Sequence, residues 1–291
     1  MLNKILITAG VVLSLVVVLA LALPTIVHSL GIHPVYADAR DYSLPGKRAL
    51  VITTSHGVLN APGETTGKPT GVMASEFTIA YYQFLDAGME VDVASVKGGE
   101  IPIDPQTLNR VLRAPEDERF LEDTVLQAKA NNSLRVDDVD FTGYDVVWFA
   151  GGWGAAYDLG YSDVLGVKVS EAYYGDRQTV FGSVCHGALG LIRARDRDGN
   201  LLIAGRKVTG VSDKQVKELG IDITPMHPET ELRKAGGIYS KQERFMDFFA
   251  TSTVVDDEKR FVTGQNQNSS HETAQKIMAV LDQRVNQGAH Q

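Results

Sequence analysis

Cysteine is almost absent from the chain, which has one such residue, Cys185, among 291. A single thiol excludes a disulfide within the chain and any zinc site built from several cysteines. Positive charge is also scarce, because 28 Lys and Arg residues face 36 Asp and Glu residues and give a formal net charge of −8. An acidic chain without a basic surface is a poor match to nucleic acid. No spacing of His, Asp and Glu suggests a metal site.

Charged residues are missing from residues 5–27, a run of 23 apolar or neutral residues that follows Lys4. This length is enough to span a bilayer and exceeds the apolar core of most signal peptides. Residues 1–30 are therefore predicted to be a retained membrane anchor, with Lys4 on the cytoplasmic side and the rest of the chain extracytoplasmic. The triplet Val35–Ala37 also fits a signal peptidase site, so an uncleaved signal, or cleavage and export, remains an alternative.

The rest of the chain alternates short apolar, β-branched stretches with helix-like segments. Strands are predicted at 48–55, 89–96, 144–154 (running into a glycine-rich turn), 178–184 and 261–264, and helices at 75–88, 187–195 and 271–282. Continuously apolar strands separated by helices indicate a parallel sheet that is covered on both faces. We therefore predict an α/β fold, a three-layer sandwich with a mostly parallel central sheet.

The predicted organisation has one domain. Residues 31–46 are polar, contain Pro34 and Pro45, and are predicted to be a linker. The α/β domain is predicted at 47–285, and residues 286–291 are predicted to be a tail.

Cys185 lies between a predicted strand and a predicted helix, in the stretch TVFGSVCHGALGLIRA. Its small neighbours, which include Ser183 and Gly187, are typical of a strained strand-to-helix turn that presents a nucleophile. The amino terminus of the following helix would favour the thiolate over the thiol. An inert core cysteine is the alternative, but the small neighbours and the adjacent His186 favour a nucleophile.

Other candidate residues follow the ends of neighbouring predicted strands. The turn AGGWG at 150–154 is predicted to offer backbone N–H groups to a developing oxyanion. Glu76 begins a predicted helix, where it either complements the helix dipole or carries protons beside Cys185. His56 and His227 are candidate substrate contacts, although plain loop positions explain them at least as well.

Five stretches carry a resemblance to a known family: GVMASEFTIAYYQFLDAGMEVDVASVKGGEIPIDP, FAGGWGAAYDL, GSVCHGALGL, GRKVTGVSD and VTGQNQNSS. In this order they resemble the PfpI/ThiJ superfamily, which implies a class I glutamine-amidotransferase-like catalytic domain from about residue 48 to residue 283. Within the superfamily, the Cys-His pair and the KGGEIPIDP stretch resemble the glyoxalase III and stress-chaperone branch.

The resemblance implies roles for individual residues. Cys185 would be the nucleophile, His186 its base, and Glu76 the carboxylate beside the sulfur. The backbone at Gly152 and Trp153, with the N–H of His186, would form the oxyanion hole. Members of this kind use neither a metal nor an organic cofactor, and many are dimers, so a homodimer is a candidate assembly.

Two positions depart from the family pattern. Trp153 stands where the branch usually has histidine. The carboxylate that orients the catalytic histidine is expected at Val216, which is flanked by Asp213 and Glu218. Either acid is a candidate substitute, and loss of the orienting acid would leave the tautomer of His186 unfixed.

The sequence thus leads to a first hypothesis and two alternatives. The first is a membrane-anchored enzyme that converts small oxoaldehydes of the methylglyoxal type to hydroxy acids through a hemithioacetal on Cys185. An amidase that forms an acyl-enzyme on Cys185 is the second. The third is a redox sensor or chaperone-like stress protein in which Cys185 oxidises instead of turning over a substrate.

Overall fold

A computed structural model of the chain describes residues 2–288. Within that range the strands are β1 (Arg48–Thr53), β2 (Val58–Leu59), β3 (Lys68–Pro69), β4 (Glu90–Ser95), β5 (Leu134–Arg135), β6 (Val146–Phe149), β7 (Val180–Val184), β8 (Lys207–Val208), β9 (Ile238–Tyr239), β10 (Thr253–Val255) and β11 (Phe261–Gly264). The α-helices are α1 (Leu2–Ser29), α2 (Ala74–Asp86), α3 (Pro115–Glu122), α4 (Thr124–Asn131), α5 (Ala155–Asp158), α6 (Asp163–Tyr174), α7 (Asp213–Glu218), α8 (Pro228–Lys234) and α9 (Ser270–Gly288).

The central sheet has the strand order β10-β11-β7-β6-β1-β4-β5. All neighbouring strands in it are parallel except β10 and β11, which are antiparallel. The predicted α/β fold with a mostly parallel sheet is therefore confirmed. Because the carboxyl ends of parallel strands meet at one edge, the loops after β1, β6 and β7 lie side by side there.

Side chains along β1 alternate between two apolar cores. Ala49 and Val51 pack on one face of the sheet with α2 and α9, whereas Leu50 and Ile52 pack on the other face with α5 and α6. Strands buried on both faces need apolar residues at every position, which explains the unbroken apolar runs in the sequence. The result is three layers: helices, sheet and helices.

Two of the three predicted helices are found as α-helices, each with a correction at its end. Helix α2 ends just before Gly88, whose φ of +81° suits glycine at a helix end. Helix α9 packs along β7 and β11 through its buried residues up to Leu281 and continues, mostly exposed, to Gly288 instead of ending near residue 282. Residues 286–288 of the predicted tail are therefore helical, and 289–291 lie outside the described residues.

The amino-terminal helix differs from all the other helices in its surroundings. Over Leu6–Ser29 it is long and apolar enough to cross a membrane, with a mean hydropathy of 2.9, and none of this stretch is buried against the domain.

The segment predicted to be a linker, 31–46, packs against the domain instead of standing free of it. Ile32 and Leu44 are buried. The backbone N–H of His33 donates to Oδ1 of Asn268 at 2.9 Å, and the backbone N–H of Arg40 donates to the side chain of Gln275 at 2.9 Å. These partners lie more than 200 residues away in the chain, so local composition gave no sign of the contacts.

Candidate active site

Cys185 occupies a strained turn directly after β7. Its φ is +57°, a left-handed conformation that costs a residue with a side chain about 1–3 kcal/mol. The turn is tight because a Cβ at Gly187 would lie 2.1 Å from the carbonyl oxygen of Phe149. The small residues that flank the cysteine are therefore required by the backbone of β6, as a nucleophile turn needs.

The element that follows Cys185 is a 3₁₀ helix over Cys185–Leu191, where the sequence predicted an α-helix at 187–195. Close packing against β6 explains the tighter winding, since a Cβ at Gly190 would lie 2.5 Å from the ring of Phe149. The amino-terminal dipole that was expected to stabilise a thiolate is correspondingly reduced.

Glu76 is completely buried in the first turn of α2, where its carboxyl group lies close enough to the thiol of Cys185 for each to shift the pKa of the other, and its Oε1 has no hydrogen-bond partner. Two donors fix its position. The backbone N–H of Gly151 donates to Oε2 at 2.9 Å, and the indole N–H of Trp148 donates to the backbone oxygen of Glu76 at 3.0 Å. A Cβ at Gly151 would lie 2.6 Å from Oε2, so this approach requires glycine. Burial raises the pKa of Glu76 to about 8, which keeps the carboxyl protonated at neutral pH.

The thiol of Cys185 keeps its proton at neutral pH, whereas the sequence predicted that the thiolate is favoured. Burial is the main cause that raises its pKa, and the charge of Glu76 adds to it, while the backbone N–H groups of His186 and Gly152 act in the opposite direction. Those two N–H groups face the sulfur, where a developing negative charge would need them. At neutral pH the thiol and the carboxyl group therefore both hold a proton.

The ring of His186 also contacts the sulfur, with Nδ1 at 3.5 Å from Sγ. Burial, with a smaller contribution from the charge of His227, lowers the pKa of His186 to about 3, so the ring is neutral. Its Nε2 atom is buried without a hydrogen-bond partner. If Nδ1 is to accept the thiol proton, Nε2 must carry a hydrogen, and an unpaired buried N–H costs about 1–3 kcal/mol.

The acids considered as substitutes for the orienting carboxylate do not reach this ring. Asp213 accepts a hydrogen bond from the hydroxyl of Thr230 at 2.8 Å, and Glu218 accepts the backbone N–H of Asp247 at 2.8 Å. Val216 is fully buried in the core that contains α2 and α9. Neither acid forms a hydrogen bond with the His186 ring, whose Nε2 has no partner, so the structure gives no support to the suggested substitution.

The two other candidate histidines have different surroundings. His56 stacks on Tyr157, with 4.1 Å between ring centroids, and its Nε2 contacts the backbone oxygen of Val58. It lies in a loop and is not among the residues that line the cavity above Cys185, so the structure gives no support to the predicted substrate contact. His227 precedes α8, has a buried Nε2 without a partner, and is close enough to His186 to depress its pKa.

Cys185 and His186 line a cavity of about 260 Å³ at the carboxyl edge of the sheet. Most of its walls are apolar, and Gln215, Gln267, Thr107 and Asp104 add polar groups. The other lining residues are Met73, Gln106, Leu112, Gly152, Trp153, Val211, Leu219, Ile221 and Phe248. The side chain of Trp153 thus forms part of the wall where histidine was expected. Among residues 2–288, no group of three or more His, Cys, Asp or Glu side chains could hold a metal ion.

Comparison with known proteins agrees with this arrangement. Residues 69–280 match the model of the DJ-1/PfpI family. The chain belongs to the DJ-1/PfpI family. Glyoxalase 3 of Candida albicans is 28% identical over 81% of this chain and 98% of its own length. The glutathione-independent glyoxalase HSP31 of Saccharomyces cerevisiae is 26% identical over 81% of this chain and 98% of its own length.

Two solved structures share the fold of this chain. The rapid encystment protein REP24 of Francisella tularensis superimposes with a TM-score of 0.72 at 32% identity, over 80% of this chain and 98% of that one. Glyoxalase III of Candida albicans has a TM-score of 0.70 at 25% identity, over 80% of this chain and 96% of that one. The resemblance to the PfpI/ThiJ superfamily and to its glyoxalase III branch is thus confirmed.

Sequence reasoning missed two residues of this DJ-1/PfpI site. Gly151, which holds Glu76, belongs to the AGGWG turn, and only its neighbour Gly152 was singled out. Gln215 lines the cavity and accepts a hydrogen bond from the Asn266 side chain at 3.0 Å. It is adjacent to Val216, so a shift of one position along α7 would have found it.

Proposed function

We propose that this protein converts 2-oxoaldehydes to 2-hydroxy acids without glutathione, as the names of its glyoxalase relatives suggest. The observation that carries the proposal is the contact of one buried thiol with both a protonated carboxyl group and an imidazole. Such a trio provides a nucleophile and two proton carriers, which an internal redox rearrangement needs. The cavity volume suits a small carbonyl compound.

The first step is addition of the Cys185 sulfur to the aldehyde carbon, C1. In the reactive form the Cys185–Glu76 pair holds a single proton, which the Glu76 carboxylate takes from the thiol and passes to the aldehyde oxygen, and this gives a hemithioacetal. The N–H groups of Gly152 and His186 stabilise the negative charge on that oxygen as it forms. Glu76 is the better acceptor, because the neutral His186 ring with a pKa of about 3 is a weak base.

The second step moves hydrogen from C1 to the neighbouring carbonyl carbon, C2. A proton leaves C1 and the C2 oxygen gains one, which gives an enediol on sulfur. Protonation at C2, with loss of the proton from the C1 hydroxyl, gives the thioester of a 2-hydroxy acid, with C1 oxidised and C2 reduced. Water then cleaves the thioester, which releases the hydroxy acid and restores the thiol. Glu76 and His186 carry the protons, and no external oxidant or reductant is needed.

The test is consumption of methylglyoxal and formation of lactate by the full chain. Cys185→Ala is expected to abolish both, whereas His56→Asn, which changes a histidine outside the cavity, is expected to leave both intact. Equal rates for Cys185→Ala and the unchanged protein would overturn the proposal.

Two observations make the sequence alternatives weaker. A redox sensor needs an exposed thiol of low pKa, but Cys185 is 6% exposed and burial raises its pKa. An amidase must protonate a leaving amine from an oriented imidazolium, but the His186 pKa is about 3 and Nε2 has no partner.

We also propose that α1 is retained as a membrane anchor that keeps the domain outside the cytoplasm. Support comes from its apolar length, from Lys4 at its amino-terminal end, and from the residues just after it. Cleavage after Ala37 would remove the buried Ile32 and His33, whose backbone is bonded to Asn268. The intact amino terminus is therefore expected by mass spectrometry of protein purified from membranes, and a chain beginning at Asp38 would overturn this. The homodimer remains a prediction.

A further inference from the structure

A loop on the cavity side of the domain exposes large apolar side chains for which the fold gives no reason. Phe245 is 98% exposed, and Met246 beside it is 37% exposed. The loop is nevertheless held firmly at its base. The backbone N–H of Arg244 donates to Oδ1 of the buried Asp247 at 3.1 Å, and the hydroxyl of Ser212 donates to Oδ2 at 2.7 Å. A phenylalanine held outward on a rigid loop indicates a partner surface.

The end of α1 reaches this loop. Leu30, the residue after the helix, is 63% exposed and lines a shallow depression together with Phe245, Met246 and Phe249. The rest of the depression is lined by the polar residues Gln242, Glu243 and Arg244. We call Leu30, Phe245, Met246 and Phe249 the apolar loop surface. The chain therefore leaves its apolar helix at the same place where the domain exposes its apolar loop.

Hydrogen bonds through Asn268 join the residues just after the helix to this loop, and we call this set of bonds the Asn268 clasp. The side-chain N–H of Asn268 donates to the backbone oxygen of Gly31 at 2.9 Å and to that of Phe248 at 3.0 Å. The backbone N–H of His33 donates back to Asn268 at 2.9 Å, and its Nε2 bonds the backbone oxygen of Leu112 at 2.9 Å. One asparagine thus ties the end of α1 to the loop that carries Phe245.

We propose that the apolar loop surface rests on the lipid bilayer, so that the domain is docked on the membrane rather than merely tethered to it. We assign the bilayer as the partner of the apolar loop surface because of the element that adjoins it. Among the described residues, the only apolar element continuous with this surface is α1, a helix of membrane-spanning length. Aromatic side chains are favoured at the membrane interface, and the exposed Arg244 can meet lipid phosphate. This inference rests on the proposed anchor.

Docking in this orientation brings the cavity to the membrane. Leu112 and Phe248 line the cavity, and both are bonded through their backbone oxygens to the clasp. The wall that contains these two residues therefore lies beside the bilayer surface, where carbonyl compounds that partition into lipid would be concentrated.

The test uses the full chain in phosphatidylcholine vesicles, with an environment-sensitive fluorophore on one cysteine. Cys185→Ala removes the only native thiol, so Phe245→Cys can be labelled alone. Val125→Cys is the matched control, since Val125 is 62% exposed on α4 at the other end of the sheet. A second label at Met246→Cys leaves Phe245 in place.

The expected result is a blue shift at positions 245 and 246 and quenching there by nitroxide-bearing lipid, with neither effect at position 125. If the protein floats with the vesicles but the fluorophores at positions 245 and 246 show the same emission as the control at position 125, docking is wrong and the anchor stands. A blue shift without quenching by the lipid would assign the surface to a protein partner and overturn the proposal. Failure to float would overturn the anchor and the docking together.

Discussion

The two side chains beside the sulfur of Cys185, those of Glu76 and His186, differ in how they are held by hydrogen bonds. Glu76 is bonded by the backbone of Gly151, while its own backbone oxygen accepts the indole N–H of Trp148. His186 has one ring nitrogen against the sulfur and the other buried without a partner. Both groups are fully buried, so burial alone does not distinguish them.

The difference lies in what each group gains from burial. Burial favours the neutral form of both, which raises the pKa of Glu76 to about 8 and lowers that of His186 to about 3. The carboxyl group is moved close to neutral pH, where it can take up and release a proton. The pKa of the imidazole is instead moved far below neutral pH. Proton transfer at this site is therefore expected to depend on Glu76 more than on His186.

Replacement of the carboxyl group should have the largest effect. Glu76→Gln keeps an acceptor for the N–H of Gly151 but cannot carry the thiol proton, so kcat for methylglyoxal is expected to fall about 10²–10³-fold. Glu218→Gln is the matched control, because that acid lies outside the cavity, and it should stay near the unchanged rate. A loss no larger than that of the control would reverse the ranking of Glu76 and His186.

The pH profile should show the same carboxyl group. Below about pH 8 the Cys185–Glu76 pair holds two protons, and the reactive form holds one, so kcat/KM should rise about tenfold per pH unit up to pH 8 and then level off. The rate of alkylation of the single thiol by iodoacetamide should rise over the same range. In Glu76→Gln that rise near pH 8 should vanish from the alkylation profile. A profile that is flat from pH 6 to pH 8 in the unchanged protein would argue against a shared proton.

Loss of the imidazole should cost less. His186→Asn removes a weak base without an orienting acid, and a decrease of about tenfold in kcat is expected. His56→Asn serves as the control for the residue type. If His186→Asn proves as damaging as Glu76→Gln, the imidazole must act as a base with its hydrogen on Nε2, although that atom has no hydrogen-bond partner in the structure.

The smallest effect is expected from adding the missing acid. Gln215→Glu places a carboxylate in the cavity that His186 lines, where the Asn266 side chain can still donate to it. The pKa of His186, followed by NMR of the imidazole, should rise from about 3, and kcat should increase about threefold to tenfold. Gln267→Glu adds the same charge to another wall of the cavity. Equal shifts in both variants would indicate a general charge effect rather than an orienting contact.

Much of the site could be predicted because its constraints are local. The small residues around Cys185 are needed wherever a strand must turn sharply, and the AGGWG turn follows an unmistakable buried strand. Glu76 was found because it begins a strongly apolar helix. The orienting acid was sought at Val216, which lies in the core, whereas its neighbour Gln215 on the short helix α7 lines the cavity together with His186.

The sequence by itself determined the layered sheet, the apolar amino-terminal helix and the position of the nucleophile, because apolar periodicity and backbone sterics act between near neighbours. Only the tertiary structure decided the protonation of the site and the course of residues 31–46. A pKa depends on every group packed around the side chain, and the clasp at Asn268 joins residues more than 200 positions apart. Neither dependence leaves a pattern in the local sequence.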